Sequence, residues 1–251
     1  MFINPIKQIA FPSREDNLAI AGLLFESAEN RGTVIFCHGR GDTKERFVDR
    51  YITLSKMLID NGYNILAFDF RGHGLSARAQ YSFGYHEQKD VLGAIDYLKS
   101  SRCNSETVGI LGFSLGACAS MLAVEKTKGI KALVSESGYS SYEDVTTVFD
   151  ENNRPIPKKS PEHKKAVEAY KKGLGWDFNI SPIDNIGNIS PCALFLIDGS
   201  IEEEDNMLMF GKACEPKEIW IIPGAAHGQV YFMAQKEYDK RVLDFFLRHL
   251  K

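Results

Sequence analysis

Gly112-Phe113-Ser114-Leu115-Gly116 sets a serine between two glycines at a spacing that suits a nucleophile. Residues 107–111 before it form a short apolar run of strand type, and residues 117–124 after it are small and apolar, as in a buried helix. A strand-to-helix turn this sharp crowds its central residue. Glycines two before and two after relieve the crowding because they lack a Cβ. The serine oxygen then stands clear of the sheet at the positive end of the helix. A serine is a weak nucleophile at neutral pH until it is placed and activated. It needs a base, a third group to orient the base, and N–H donors for the oxyanion.

Residues of each kind are present. Among six histidines, His227 follows the apolar run 218–222 and sits in the small-residue loop Pro223-Gly224-Ala225-Ala226-His227-Gly228. A histidine at the carboxyl end of the last strand reaches over neighbouring strand ends, where open α/β sheets place their sites. The orienting carboxylate is expected after the preceding strand, 193–197, where Asp198-Gly199-Ser200-Ile201-Glu202-Glu203-Glu204-Asp205 stands. One of these five acids is read as the third member, and the others as a solvated loop or helix start. The donors are expected from His38-Gly39-Arg40-Gly41-Asp42, after strand 33–37. The expected pair is the backbone N–H of Arg40 and that of Leu115. This loop lacks the second and third glycines of a dinucleotide-binding G-x-G-x-x-G.

Elements able to position these groups alternate along the chain. Strands are expected at 7–11 and 18–25 as an antiparallel pair, then at 33–37, 64–68, 107–111, 131–135, 193–197 and 218–222. Helices are expected through Phe47, Tyr51, Leu54 and Leu58 up to Asn61-Gly62, then at 84–98, 115–124, 161–173, 207–213 and 230–250. Such alternation predicts an α/β fold, a mostly parallel twisted sheet with helices on both faces. Residues 139–182 break the rhythm with a polar, proline-interrupted stretch and one helix, and read as a small cap insertion in a single domain spanning 1–251. Gly39, Tyr139 and Trp176 are assigned to the substrate pocket.

Composition narrows the function. The 251 residues are 44% hydrophobic and 25% charged with a net charge of -3, which disfavours nucleic acid or an anionic membrane as the main partner. No apolar run reaches the roughly 18 residues of a membrane span, and the first residues show no signal-peptide pattern. Five scattered cysteines without a C-x-x-C point to a reducing, cytoplasmic setting, with neither a disulfide framework nor a zinc site.

The motifs together resemble the α/β-hydrolase family, in its serine-esterase and lipase branch, over most of the chain. The resemblance rests on His38-Gly39-Arg40-Gly41, on Asp69-Phe70-Arg71-Gly72-His73-Gly74-Leu75-Ser76, on Gly84-Tyr85 with Asp90, on the Ser114 turn, on Ser181-Pro182-Ile183 and on the His227 loop. It implies Ser114 as nucleophile, His227 as general base, and an oxyanion hole at Arg40 and Leu115. His73 reads as structural. The family's strand-His-Gly-x-x-Asp is altered here: Asp198 stands at the His, and Glu202 at the Asp. Glu202 is therefore the expected acid, with Asp205 or Glu203 as alternatives. The implied activity is hydrolysis of a small-molecule acyl ester or thioester through an acyl-enzyme, without metal or cofactor. Peptidase or amidase action on the same triad, and a non-catalytic hydrolase-like binding protein, are the competing readings.

Overall fold

The computed structural model describes residues 6–100, 107–141, 149–152, 154–158, 160–174 and 181–251, without the side chains of Lys171, Leu174 and Glu202. Eight strands form one sheet: β1 (Ile6–Pro12), β2 (Ala19–Phe25), β3 (Gly32–Cys37), β4 (Tyr63–Phe68), β5 (Val108–Phe113), β6 (Ile130–Glu136), β7 (Ala193–Gly199) and β8 (Lys217–Ile222). Their spatial order is β1-β2-β4-β3-β5-β6-β7-β8. The β1–β2 and β2–β4 pairs are antiparallel, and every pair from β4 to β8 is parallel. The expected α/β architecture is thus present.

The α-helices among the described residues are α1 (Lys44–Arg50), α2 (Ile52–Asp60), α3 (Gln88–Ser100), α4 (Leu115–Glu125), α5 (Pro161–Leu174), α6 (Pro182–Asn185), α7 (Glu203–Lys212) and α8 (Val230–His249). A parallel sheet covered on both faces needs strands that are near-continuous apolar runs. β3, β4, β5 and β7 are buried throughout and mostly apolar, with Thr33, Asn64 and Asp198 as polar exceptions. Alternate residues serve opposite faces: Val34 and Phe36 pack with Phe47, Leu54 and Phe245 of α1, α2 and α8. Ile35 and Cys37 pack with Ile95, Cys118 and Met209 of α3, α4 and α7. No helix among the described residues is long and apolar enough to cross a membrane.

Three helix boundaries differ from expectation. The helix expected through residues 47–58 breaks at Tyr51 (φ -103, ψ 34) into α1 and α2. Neither Gly nor Pro marks the break. The Tyr51 hydroxyl donates to the buried Glu136 carboxylate at 2.7 Å, and its ring lies 4.6 Å from that of Tyr231. Long-range partners therefore override local helix preference. α3 starts at Gln88 rather than at residue 84, because Glu87 accepts from Ser82 N, Ser82 Oγ and Gly84 N and holds 82–87 as a tight loop. α7 starts at Glu203 rather than at 207, with three acids in its first turn where the helix dipole favours them.

Candidate active site

β5 and α4 meet at Ser114, whose backbone adopts φ 51 and ψ -112. A non-glycine residue held there costs about 1–3 kcal/mol and needs its surroundings to enforce it. The surroundings do so. Ser114 N–H donates to Glu136 O at 2.9 Å, and Cys118 N–H donates to Ser114 O at 3.1 Å. A Cβ on Gly116 would lie 2.0 Å from Cys37 O, and one on Gly112 would lie 2.7 Å from Ala117 Cα. The flanking glycines therefore let α4 pass against β3 and β5.

His227 sits on the loop between β8 and α8, where Gly224 and Gly228 take φ of 75 and 74. Gln229 closes the loop through Gln229 N–H to Ala226 O at 3.0 Å and Ala226 N–H to Gln229 Oε1 at 3.1 Å. His227 Nε2 lies 3.0 Å from Ser114 Oγ. With Nε2 unprotonated, the serine hydroxyl donates to it. The two sequence-predicted residues are thus within hydrogen-bonding reach, with the imidazole 5.6 Å from the Phe113 ring.

The acidic segment after β7 is docked on the histidine loop. Gly224 N–H donates to Ser200 Oγ at 2.9 Å, and Ile201 N–H donates to Ala225 O at 3.4 Å. A Cβ on Gly199 would fall 2.0 Å from Ala225 O, so only glycine permits this approach. Glu202 ends the single turn Ser200–Glu202 on this docked segment. Its side chain lies outside the described residues. Glu203 and Glu204 are exposed on α7. Asp198 is buried, and accepts from Gly199 N at 2.7 Å, from Ser137 Oγ at 3.3 Å and from Asn206 Nδ2. Sequence reasoning missed this anchoring role. The one amide in an otherwise acidic helix start, Asn206, was its only signal.

The His38–Asp42 loop, from which the donors were expected, runs beside the serine. A Cβ on Gly39 would be 2.7 Å from the Phe113 ring and 3.6 Å from Ser114 Cβ, so this backbone runs directly against Ser114. Leu115, with its N–H at the first position of α4, is 1% exposed, and Arg40 is exposed. Tyr139 is buried, and its hydroxyl donates to Phe83 O. Trp176 lies outside the described residues.

The Asp69–Ser76 turn clamps the His38–Asp42 loop. His38 Nε2 accepts from Phe70 N–H at 3.0 Å, while its Nδ1–H donates to Gly39 O at 2.7 Å. Burial pushes the His38 imidazole down to about 4, so it stays neutral and keeps Nε2 as an acceptor. His73 repeats the pattern, with Nε2 accepting from Gly41 N–H at 3.1 Å and Nδ1–H donating to Arg71 O at 3.0 Å. Asp69 accepts from Lys44 N at 2.8 Å, from Lys44 Nζ at 2.7 Å and from Leu75 N at 2.9 Å. Burial raises this carboxyl, but the bonds from Lys44 and Leu75 outweigh that and hold it below the usual range. Arg71 in turn bridges buried Asp90 at 2.8 Å and Asp16 at 2.7 Å, fixing the turn to α3. His73 thus fixes the peptide next to the Arg40 N–H. Replacing His73 by alanine is expected to lower kcat by about tenfold with KM little changed, because a donor displaced by a fraction of an ångström loses much of its value. Steady-state kinetics check this, and an unchanged kcat would show that His73 does not position the Arg40 N–H.

An open parallel sheet with a serine at the β5–α4 turn and a histidine after the last strand defines a class, and three comparisons bear on it. Residues 28–152, about half of the chain, match the family model described as serine aminopeptidase, S33. The chain is 25% identical to the esterase Pf2001 of Pyrococcus furiosus, with a TM-score of 0.77 covering 99% of this chain and 94% of that one. It is 22% identical over 223 residues to the uncharacterized protein YqkD of Bacillus subtilis, covering 85% of this chain and 70% of that protein. It is 29% identical over 164 residues to the lysophosphatidylserine lipase ABHD12 of Mus musculus, covering 64% of this chain. The match spans only 36% of that lipase's length. The chain belongs to the α/β-hydrolase family, among its esterase- and lipase-like members.

Proposed function

We propose that the protein is a serine hydrolase that cleaves a small-molecule acyl ester or thioester through Ser114, His227 and Glu202. The observation that carries this reading is the 3.0 Å approach of His227 Nε2 to Ser114 Oγ across 113 residues of chain. As Oγ attacks the carbonyl carbon, Nε2 takes its proton, and the N–H groups of Arg40 and Leu115 receive the oxyanion. The imidazolium then returns the proton to the leaving oxygen or sulfur, and an acyl-enzyme remains. Water attacks that ester with His227 again as base, and the acid departs. Glu202 orients the Nδ1–H of His227 and offsets the charge of the imidazolium. The similarity to an esterase structure and to lysophosphatidylserine lipases supports ester over amide cleavage.

The 139–182 insertion is assigned as a cap. Its helix α5 buries His163 and Val167, four residues apart on one face, and exposes most of its other described positions. Cys37, Cys118, Cys192 and Cys214 are free thiols, which fits a cytoplasmic setting.

The description of the matching family model favours one second reading, aminopeptidase action on the same three residues. Three probes separate the readings on the folded protein: p-nitrophenyl butyrate, an aminoacyl p-nitroanilide and a fluorophosphonate. The expected outcome is ester turnover with a phosphonyl adduct mapped by mass spectrometry to Ser114. Faster anilide than ester turnover would establish the aminopeptidase reading. Neither turnover nor adduct would leave a hydrolase-like binding protein.

A further inference from the structure

A chain of contacts runs from the helix that follows Ser114 round to the loop that packs against it. Cys118, one turn into α4, accepts from Tyr139 N–H through Sγ at 3.3 Å. The Tyr139 hydroxyl reaches Phe83 O, and the Phe83 ring lies 4.5 Å from that of Tyr81. The Arg40 guanidinium lies over the Tyr81 ring, 5.7 Å from its centroid. Arg40 follows Gly39, whose backbone runs against Ser114. The serine is therefore bordered by an aromatic wall that carries one cation at its rim.

That cation is held in place without being neutralised. Among the described residues Arg40 makes no ion pair. The nearest acid in sequence, Asp42, faces Arg46 at 3.6 Å and Arg50 at 4.0 Å instead. Glu87, the acid nearest Tyr81, is buried and spends its oxygens on Ser82 and Gly84. Stacking on an aromatic ring uses the face of a guanidinium and leaves its N–H edges free for a bidentate acceptor. The same charge opposes a substrate ammonium, as an aminopeptidase would need to bind.

We propose that Arg40 and Tyr81 form an anion subsite beside Ser114, so that the protein selects esters carrying a carboxylate or phosphate within one arginine's reach of the scissile carbonyl. This rests on the serine-hydrolase reading and adds the charge of the substrate to it. The negative group belongs either to the acyl half or to the alcohol half, and the two halves are tested separately.

The acyl arm compares p-nitrophenyl hemiglutarate with p-nitrophenyl butyrate. The alcohol arm compares 4-carboxyphenyl butyrate with 4-carbamoylphenyl butyrate. In each arm the readout is the ratio of kcat/KM for the anionic ester to that for its neutral partner, which cancels any effect of a variant on the oxyanion hole. Arg40→Gln is expected to lower this ratio by about tenfold in one arm, the size of one charge-assisted hydrogen bond. Arg40→Lys keeps the charge and loses the planar fork, and its ratio is expected to fall between those of wild type and Arg40→Gln. A ratio unchanged by both substitutions in both arms would overturn the subsite while leaving the hydrolase reading intact. A folded wild type inactive on all four esters would overturn that reading, and the subsite with it.

Discussion

Ser114→Ala is expected to reduce kcat for p-nitrophenyl butyrate by about 10^4-fold or more and to abolish fluorophosphonate labelling. The magnitude follows from what remains. On the proposed mechanism the oxyanion donors and the binding groups still act without the serine hydroxyl, and such residual machinery accelerates hydrolysis only weakly. The fold should not suffer. Ser114 Oγ has His227 as its hydrogen-bond partner, whereas the backbone bonds to Glu136 and Cys118 hold the turn, and alanine retains both. Alanine also keeps a Cβ at φ 51, so the strain of the turn is unchanged and the melting temperature is expected to match the wild type. Burst kinetics, labelling and a thermal scan together check this. Turnover within tenfold of wild type would remove Ser114 from the mechanism.

Glu202→Gln is expected to lower kcat by about 10^3- to 10^4-fold, because an amide in place of the proposed orienting carboxylate leaves the imidazole in the wrong tautomer. Glu203→Gln and Asp205→Asn, on the first turn of α7, are expected to change kcat by less than about threefold, a surface-charge effect. The reason to single out Glu202 is positional. The turn Ser200–Glu202 is tied to the histidine loop by Gly224 N–H to Ser200 Oγ and Ile201 N–H to Ala225 O, and Gly199 fits there only without a Cβ. Parallel kinetics on the three variants decide the matter. A large loss at residue 203 or 205 with near-normal activity at 202 would move the acid along the helix start.

The sheet was legible in the sequence because the parallel strands are short, mostly apolar runs, and such runs leave few other folds for 251 residues. The serine turn was legible because its glycines are a steric requirement, visible in the 2.0 Å distance that a Cβ on Gly116 would make with Cys37 O. The break at Tyr51 was not legible, since nothing within one turn of it signals a stop. Its cause is Glu136, 85 residues away, whose burial needs the Tyr51 hydroxyl. The anchoring of Asp198 was hidden for the same reason, since Ser137 and Asn206 come from separate elements. His73, read as structural, lies against the loop that carries Arg40.

The alternation of strands and helices, the strained turn at Ser114, and the loops at the carboxyl edge of the sheet from which partners must come were all readable along the chain. These are local properties, written in periodicity and in residues that lack or need a Cβ. Distances came from the assembled fold: His227 3.0 Å from Ser114, Gly41 held by His73, and Arg40 laid over Tyr81. Those contacts join residues that share no local pattern, and they exist because the sheet register brings its strand ends together.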